Sequence, residues 1–390
     1  MAVSDWIRFQ KVFGFGTVRA AKALSYWGNP AAIFDSQDDE LLKHGVLDPE
    51  IEKIHLTKEK SPDKILEFCA KNKIRILTPE EIDYPDMLRE IYSPPAVLYV
   101  AGSWENLQDR LCIAVVGTRQ LTPYGDKMAR YLSCELARNG IVTVSGLAAG
   151  VDSCCHSATL LAGGKTIAVQ GCGIDRCYPA TNDVLKTKIL ENGGAVLTEF
   201  PPGTEPLAYH FPIRNRIIAG LCHGTVVVEG QRKSGSLITA GFALTEGRDV
   251  FAIPGNVDQM MSEAPNWLIR EGAIMVRSTD DILQEYEHLE WKECRVDTSP
   301  RQTAVQIETY YSPAADQKEK KARTREVPQK ENEHLNENQR RVLAILSSEP
   351  VDTDTILQRC GLPISTVLSV LTQLEIFGII KIHAGHRFSL

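Results

Sequence analysis

The chain has 390 residues, 43 Lys+Arg against 50 Asp+Glu, and a formal net charge of −7. Hydrophobic residues make up 43% and charged residues 24%, the balance of a globular protein with room for more than one domain. No run of about 18 apolar residues marks a membrane span, and the start, MAVSDWIRFQKVFG, lacks the apolar stretch of a secretory signal. A cytoplasmic protein is expected. The acidic balance excludes a surface coated in basic residues, though not a local basic groove. The ten cysteines include no Cys-x-x-Cys pair and no His at zinc-finger spacing. Buried free thiols are expected, with no metal and no cofactor.

Residues 1–75 read as short helices. Val12-Phe13-Gly14-Phe15-Gly16-Thr17 leads into Val18-Arg19-Ala20-Ala21-Lys22-Ala23-Leu24, the turn of a helix-hairpin-helix (SAM-like) element. Such a turn either presents helix N-terminal amides to a phosphate or serves packing alone.

From 76 to 294 the pattern changes. Apolar runs, each followed by a turn and a helical segment, recur at 112–116, 141–144, 166–169, 195–197, 225–228, 249–253 and 273–276. Strands apolar on both faces and alternating with helices predict a doubly wound parallel sheet of the α/β class. Residues 295–334, typified by Lys318-Glu319-Lys320-Lys321, hold few aliphatics and read as a flexible linker. Residues 335–390 resume apolar periodicity. Helices over 338–346, 354–360 and 365–377 precede a hairpin from Ile379 to Leu390, the order of a winged helix. Its five Lys/Arg (Arg340, Arg341, Arg359, Lys381, Arg387) face five acids (Glu337, Glu349, Asp352, Asp354, Glu375), a balance that favours protein contact over tight DNA binding.

Ligands of an open parallel sheet bind beyond the carboxyl ends of its strands. Small residues crowd four of those ends: Gly117-Thr118-Arg119-Gln120, Ser145-Gly146-Leu147-Ala148, Gly171-Cys172-Gly173 and Gly230-Gln231-Arg232-Lys233-Ser234-Gly235-Ser236. They let backbone amides approach an anion, with Arg119 and Lys233 adding charge. A dinucleotide site needs Gly-x-Gly-x-x-Gly after the first strand, and none is present. A P-loop fails too, because Thr159 stands where Gly is required before Gly164-Lys165-Thr166, and a strand follows.

In Phe211-Pro212-Ile213-Arg214-Asn215-Arg216, an aromatic ring adjoins two cations and an amide. A base stacked on Phe211 contributes about 1–3 kcal/mol, with Arg214 and Arg216 on flanking phosphates. The alternative puts Phe211 in the core and pairs the arginines with acids such as Glu199; the small strand ends on the same rim favour the nucleic-acid reading. No hydrolytic set stands out. Ser153, Asp152 and His156 share one helical turn, which cannot easily reach triad geometry, and Glu199 and Glu229 lack a paired acid.

Val-Val-Gly-Thr-Arg (115–119), Val-Ser-Gly-Leu-Ala-Ala-Gly-Val-Asp (144–152), Phe-Pro-Ile-Arg-Asn-Arg-Ile-Ile-Ala-Gly-Leu (211–221), Lys-Ser-Gly-Ser-Leu-Ile-Thr-Ala (233–240) and Val-Phe-Ala-Ile-Pro-Gly (250–255), in that order, resemble the DNA-processing protein A (DprA/Smf) family. The resemblance implies an extended Rossmann-like core and no catalytic residue. It further implies single-stranded DNA in a basic pocket and delivery of the strand to the recombinase RecA, in natural transformation and homologous recombination. It places DNA contacts at Gly117, Thr118, Arg119, Ser145, Gly146, Phe211, Arg214, Asn215, Arg216, Lys233, Ser234 and Gly235. Homodimerisation is expected around Asn266-Trp267-Leu268-Ile269. Ala180 stands where some relatives carry Lys, which removes one candidate phosphate contact. Two other readings stay open. A nucleoside-monophosphate hydrolase of the lysine-decarboxylase-like group would carry Pro-Gly-Gly-x-Gly-Thr where 231–236 reads Gln-Arg-Lys-Ser-Gly-Ser. A regulator acting through 335–390 would prefer duplex DNA.

Overall fold

The computed structural model describes residues 3–58, 61–104, 110–289, 341–346, 351–360, 367, 371, 381–383 and 387–389. The chain falls into two compact units, Met1–Tyr311 and Ser312–Leu390.

The first unit begins with six short helices, α1 (Val3–Phe13), α2 (Val18–Trp27), α3 (Pro30–Asp35), α4 (Asp38–Lys43), α5 (Asp48–Lys58) and α6 (Asp63–Lys71). Thr17 caps α2 by accepting a hydrogen bond from the Ala20 amide at 3.2 Å, satisfying a donor that the first turn leaves open. Gly14 and Gly16 both take positive φ, +79° and +61°, in the turn between α1 and α2. That turn faces protein. Phe15 packs on Phe200 at 4.6 Å between ring centroids, and Gly16 lies against Arg216. The packing role, one of the two the sequence left open, is the one the fold displays.

The sheet has nine strands: β1 (Arg75–Leu77), β2 (Leu98–Gly102), β3 (Cys112–Val116), β4 (Val142–Ser145), β5 (Thr166–Val169), β6 (Ala195–Thr198), β7 (Gly224–Val227), β8 (Asp249–Ala252) and β9 (Ile274–Met275). Their order is β1-β2-β6-β5-β4-β3-β7-β8-β9. All seven anticipated strands are present and parallel, with Ile113 opposite both Thr143 and Gly224 across the centre. The sheet is mixed, however. β1 and β2 form an antiparallel edge, Tyr99 pairing with Thr198 of β6 and Ile76 with Tyr99. A three-residue strand and one that begins among prolines leave too little periodicity to register in the sequence.

Helices cover both faces. α8 (Pro123–Arg138), α9 (Val151–Leu161), α10 (Asp183–Glu191), α11 (His210–Gly220), α12 (Gly235–Thr245), α13 (Glu263–Arg270) and α14 (Asp280–Tyr286) follow strands, and α7 (Asp86–Arg89) precedes β2. Side chains of β3 alternate between the two layers. Cys112, Ala114 and Val116 pack with Ile217, Ala240 and Ala243 of α11 and α12, whereas Ile113 and Val115 pack with Ala129 and Leu132 of α8 and Val151 of α9. All five are buried, which explains an unbroken apolar run rather than an alternating one. The N-terminal helices are not separate from this body: Phe9, Ile33 and Leu41 share one apolar cluster with Tyr99, Ala168 and Val196 of the sheet.

In the second unit, β10 (Val351–Asp352), α15 (Thr353–Cys360), β11 (Lys381–His383) and β12 (Arg387–Ser389) are described. The strands form a small antiparallel sheet in the order β10-β12-β11, and Val342, Ile356, Val367, Leu371 and Phe388 make its core. The proposed linker at 295–334 lies outside the described residues, as does most of the helix expected over 365–377. No two cysteines are joined among the described residues, none of their helices is long and apolar enough to cross a membrane, and no cluster of metal-ligating side chains occurs among them.

Candidate nucleic-acid interface

β3 stands where the chain order reverses, with β4, β5 and β6 on one side and β7, β8 and β9 on the other. A crevice opens at such a switch point because the connections on either side run in opposite directions. The loops after β3 and β7 meet there, the Thr118 amide donating to the Glu229 carbonyl at 2.8 Å. Gly117 is needed at this approach, since a Cβ would lie 2.5 Å from Val151 and 2.9 Å from the Glu229 carbonyl.

A cavity of about 580 Å³ occupies the crevice. Gly117, Thr118, Arg119, Phe211, Arg214, Asn215, Lys233, Ser234 and Gly235, nine of the twelve residues anticipated from sequence, line it. Arg119 and Lys233 are exposed. The Arg119 guanidinium carbon sits 5.4 Å from the centroid of the Phe211 ring, within cation–π range. Ser234 precedes α12, and its hydroxyl bonds that of Ser236 at 2.5 Å rather than capping the helix. Asn215 reaches across to the Gly235 carbonyl at 3.4 Å and ties α11 to the start of α12.

Arg214 is a buried support. Its side chain donates to the Gly146 carbonyl at 2.7 Å, to the Val169 carbonyl and to Asn215 Oδ1 at 3.2 Å. Burial lowers its pKa to about 10, against the opposing pull of Asp152. Gly146 does not line the cavity; it lies beneath this guanidinium, where a Cβ would come within 2.6 Å of it. Asp152 accepts from the amides of Gly146 and Ala148 at 3.1 and 3.3 Å. Burial raises its carboxyl above the usual range, with Arg214 acting the other way. Burial likewise drives the His156 pKa down to about 3, so this imidazole is neutral. Asp152 thus orders the loop after β4, and His156 packs, bonded to Thr166 Oγ1 at 2.7 Å.

The structure does not bring Ser145 or Arg216 into the cavity. Ser145 is fully buried and its hydroxyl donates to the Val115 carbonyl at 2.8 Å, joining β4 to β3. Arg216 pairs with Glu199 at 2.5 Å, both nearly inaccessible. Burial raises the Glu199 carboxyl, and Arg216 is the principal counterweight. Around α11, residues 211, 214, 215 and 218 follow the i, i+3, i+4, i+7 spacing of one face, and all four line the cavity. Arg216 is two positions from Arg214, about 200° around the helix, and so faces the N-terminal hairpin. The same spacing in the sequence carries that distinction.

Sequence reasoning missed Tyr178, Asp152 and Ile218 as lining residues. Tyr178 follows Gly171-Cys172-Gly173 by five positions on the same rim, and that proximity is the signal in the sequence. Of the four residues expected at a dimer contact, Asn266 is held within its own chain by a two-way hydrogen bond to the backbone of Gly255, at 3.1 and 2.9 Å. Leu268 is buried in the core, and Trp267 and Ile269 are half-buried, Trp267 lying under the Arg232 guanidinium at 4.6 Å.

Comparison with known proteins bears on this geometry. The family described as DNA recombination-mediator protein A matches residues 75–287, and the DprA winged helix domain matches residues 326–386. The Smf protein of Escherichia coli is 37% identical over 296 residues, covering 76% of this chain and 72% of that protein. The DNA processing protein A structure from Streptococcus pneumoniae superposes with a TM-score of 0.63 at 38% identity, over 74% of this chain and 99% of that one. The Helicobacter pylori DNA processing protein A, whose structure addresses its single-stranded DNA binding mode, superposes with a TM-score of 0.50 at 30% identity, over 55% and 96%. The chain belongs to the DNA recombination-mediator protein A family.

Proposed function

We propose that the protein binds single-stranded DNA in the crevice at the ends of β3 and β7, without sequence readout, and acts by binding rather than by catalysis. The observation that carries this reading is the placement of exposed Arg119 and Lys233 in one cavity with Phe211 and the open start of α12. Cations track phosphates, and the aromatic wall formed by Phe211 together with the more exposed Tyr178 accepts any base because every base has a π face. The binding mode named for the Helicobacter pylori relative supports it. In this reading the captured strand passes to the recombinase RecA during natural transformation and homologous recombination. A homodimer joined near Trp267 and Ile269 doubles the length of strand engaged.

Fluorescence-anisotropy titration of a labelled single-stranded oligonucleotide across several salt concentrations, with duplex DNA in parallel, tests the reading. Wild type is expected to prefer the single strand with a steep salt dependence. Arg119→Ala is expected to weaken binding and to shallow the log–log slope by about 0.7, the share of one neutralised phosphate. Duplex preference, or indifference to Arg119, refutes it.

A further inference from the structure

The aromatic ring that the motif supplies is largely enclosed. Gly171 lies so close to Phe211 that a Cβ would come within 3.0 Å of Cδ1. The guanidinium carbons of Arg119 and Arg214 stand 5.4 and 5.9 Å from its centroid, and the Tyr178 ring stands 5.3 Å away, tilted by 47°. Backbone, two cations and a second ring leave Phe211 half-buried, with little face for a base. Tyr178 lines the same cavity and is 44% exposed.

The loop that carries Tyr178 is held firmly. Lys186, itself buried, donates from Nζ to the carbonyls of Ile174 and Arg176 at 2.6 and 2.7 Å, and Gln170 donates to the same Arg176 carbonyl at 2.7 Å. An exposed aromatic side chain on a pinned loop loses little freedom when a base lands on it, which is the property of a good stacking surface.

We propose that Tyr178 is the outer stacking platform of this cavity: a base of the bound strand lies on the exposed face of Tyr178, and Phe211 backs that ring while holding Arg119 toward the neighbouring phosphate. This rests on the single-strand reading above and deepens it. Tyr178 contributes stacking and no charge, so its contribution is separable from that of the cations.

The test titrates full-length protein with a labelled oligothymidine and with the same oligonucleotide carrying abasic positions, comparing wild type, Tyr178→Ala, Tyr178→Phe and Arg119→Ala. Loss of one stacked base weakens binding by about 5- to 150-fold. Tyr178→Ala is expected to show that loss with the wild-type salt slope, and Tyr178→Phe to retain affinity. Abasic positions should weaken wild type and Tyr178→Phe while adding little to Tyr178→Ala. If Tyr178→Ala binds as wild type while Arg119→Ala is weakened, Tyr178 is not the platform and the single-strand reading stands. A Tyr178→Ala variant that changes the salt slope as Arg119→Ala does also overturns the proposal. If wild type does not bind single strands, both readings fall together.

Discussion

Gly16 and Arg216 are 200 positions apart, and the α-carbon of one lies against the guanidinium of the other: a Cβ at Gly16 would sit 2.7 Å from Arg216 Nε. Arg216 is paired with Glu199, whose carbonyl also accepts from Gln10 of α1 at 3.1 Å. Nε and Nη1 of Arg216 find no hydrogen-bond partner among the described residues. The turn of the N-terminal hairpin therefore closes over a buried ion pair on the inner face of the helix whose outer face lines the cavity. Removing one member of such a pair costs about 3–5 kcal/mol, because the other charge stays buried alone.

Gly16→Ala is expected to lower stability by about 1–3 kcal/mol, since the new methyl meets Arg216 and the residue sits at positive φ. Gly14→Ala is the control: its φ is also positive, but the nearest atom to an added Cβ is a Thr17 methyl at 3.7 Å. Urea unfolding of both variants checks this. Equal losses would show that backbone strain alone matters and that the contact with Arg216 has slack.

Gly146→Ala should act on the cavity from below. Its backbone is ordinary, but the Cβ falls 2.6–2.7 Å from three atoms of the Arg214 guanidinium, which must then leave the Gly146 and Val169 carbonyls. Overpacking of this kind costs about 1–3 kcal/mol, and the displaced Arg214 is expected to weaken single-strand binding as well. Gly241→Ala, exposed on α12 with open space around it, should instead stabilise by about 0.5–1 kcal/mol. Unfolding midpoints and anisotropy on the two variants give the comparison. Unaltered DNA binding by Gly146→Ala would separate Arg214 from the site.

His156 makes stability depend on pH. Burial, reinforced by Arg214, lowers its pKa from 6.5 to about 3 in the folded protein. The unfolded chain binds that proton near pH 6.5 and the native state does not. Its contribution is complete above pH 6.5 and falls by about 1.4 kcal/mol per pH unit as acid is added toward pH 3. Asp152 and Glu199 work in the opposite sense, because burial raises their carboxyl pKa values and their contribution is lost as pH rises. The difference between wild type and His156→Gln isolates the imidazole. Urea unfolding at pH 7, 6 and 5 should show a shallower acid loss in the variant, and identical slopes would contradict the assignment.

The parallel part of the sheet was legible because strands such as β3 are buried on both faces and must be apolar throughout. The antiparallel edge was not, since Arg75–Leu77 is three residues long and only one of them is fully buried. At the site, the small-residue ends of β3 and β7 pointed to the crevice, whereas the glycines after β4 and β5 lie outside its lining, Gly146 beneath Arg214 and Gly171 against Phe211. Motif membership could not separate Arg214 from Arg216, or show that Ser145 binds the Val115 carbonyl. Those assignments depend on helical phase and on which carbonyl acceptors β3 leaves open. Tyr178 was not read as a lining residue because proximity to the Gly171–Gly173 turn does not show the path of its loop, which Lys186 and Gln170 hold through the Arg176 carbonyl.

The apolar cluster shared by Phe9, Ile33, Leu41 and the sheet residues Tyr99 and Val196 has a practical corollary for protein engineering. A fragment cut at the start of β1 would uncover the outer face of β2 and β6 and flood the Arg216–Glu199 pair with water. Solvent would then compete for the carboxylate that fixes the rotation of α11, and the pocket side of that helix would inherit the slack. The N-terminal hairpin is in this sense a brace behind α11, outside the cavity yet holding the helix that lines it.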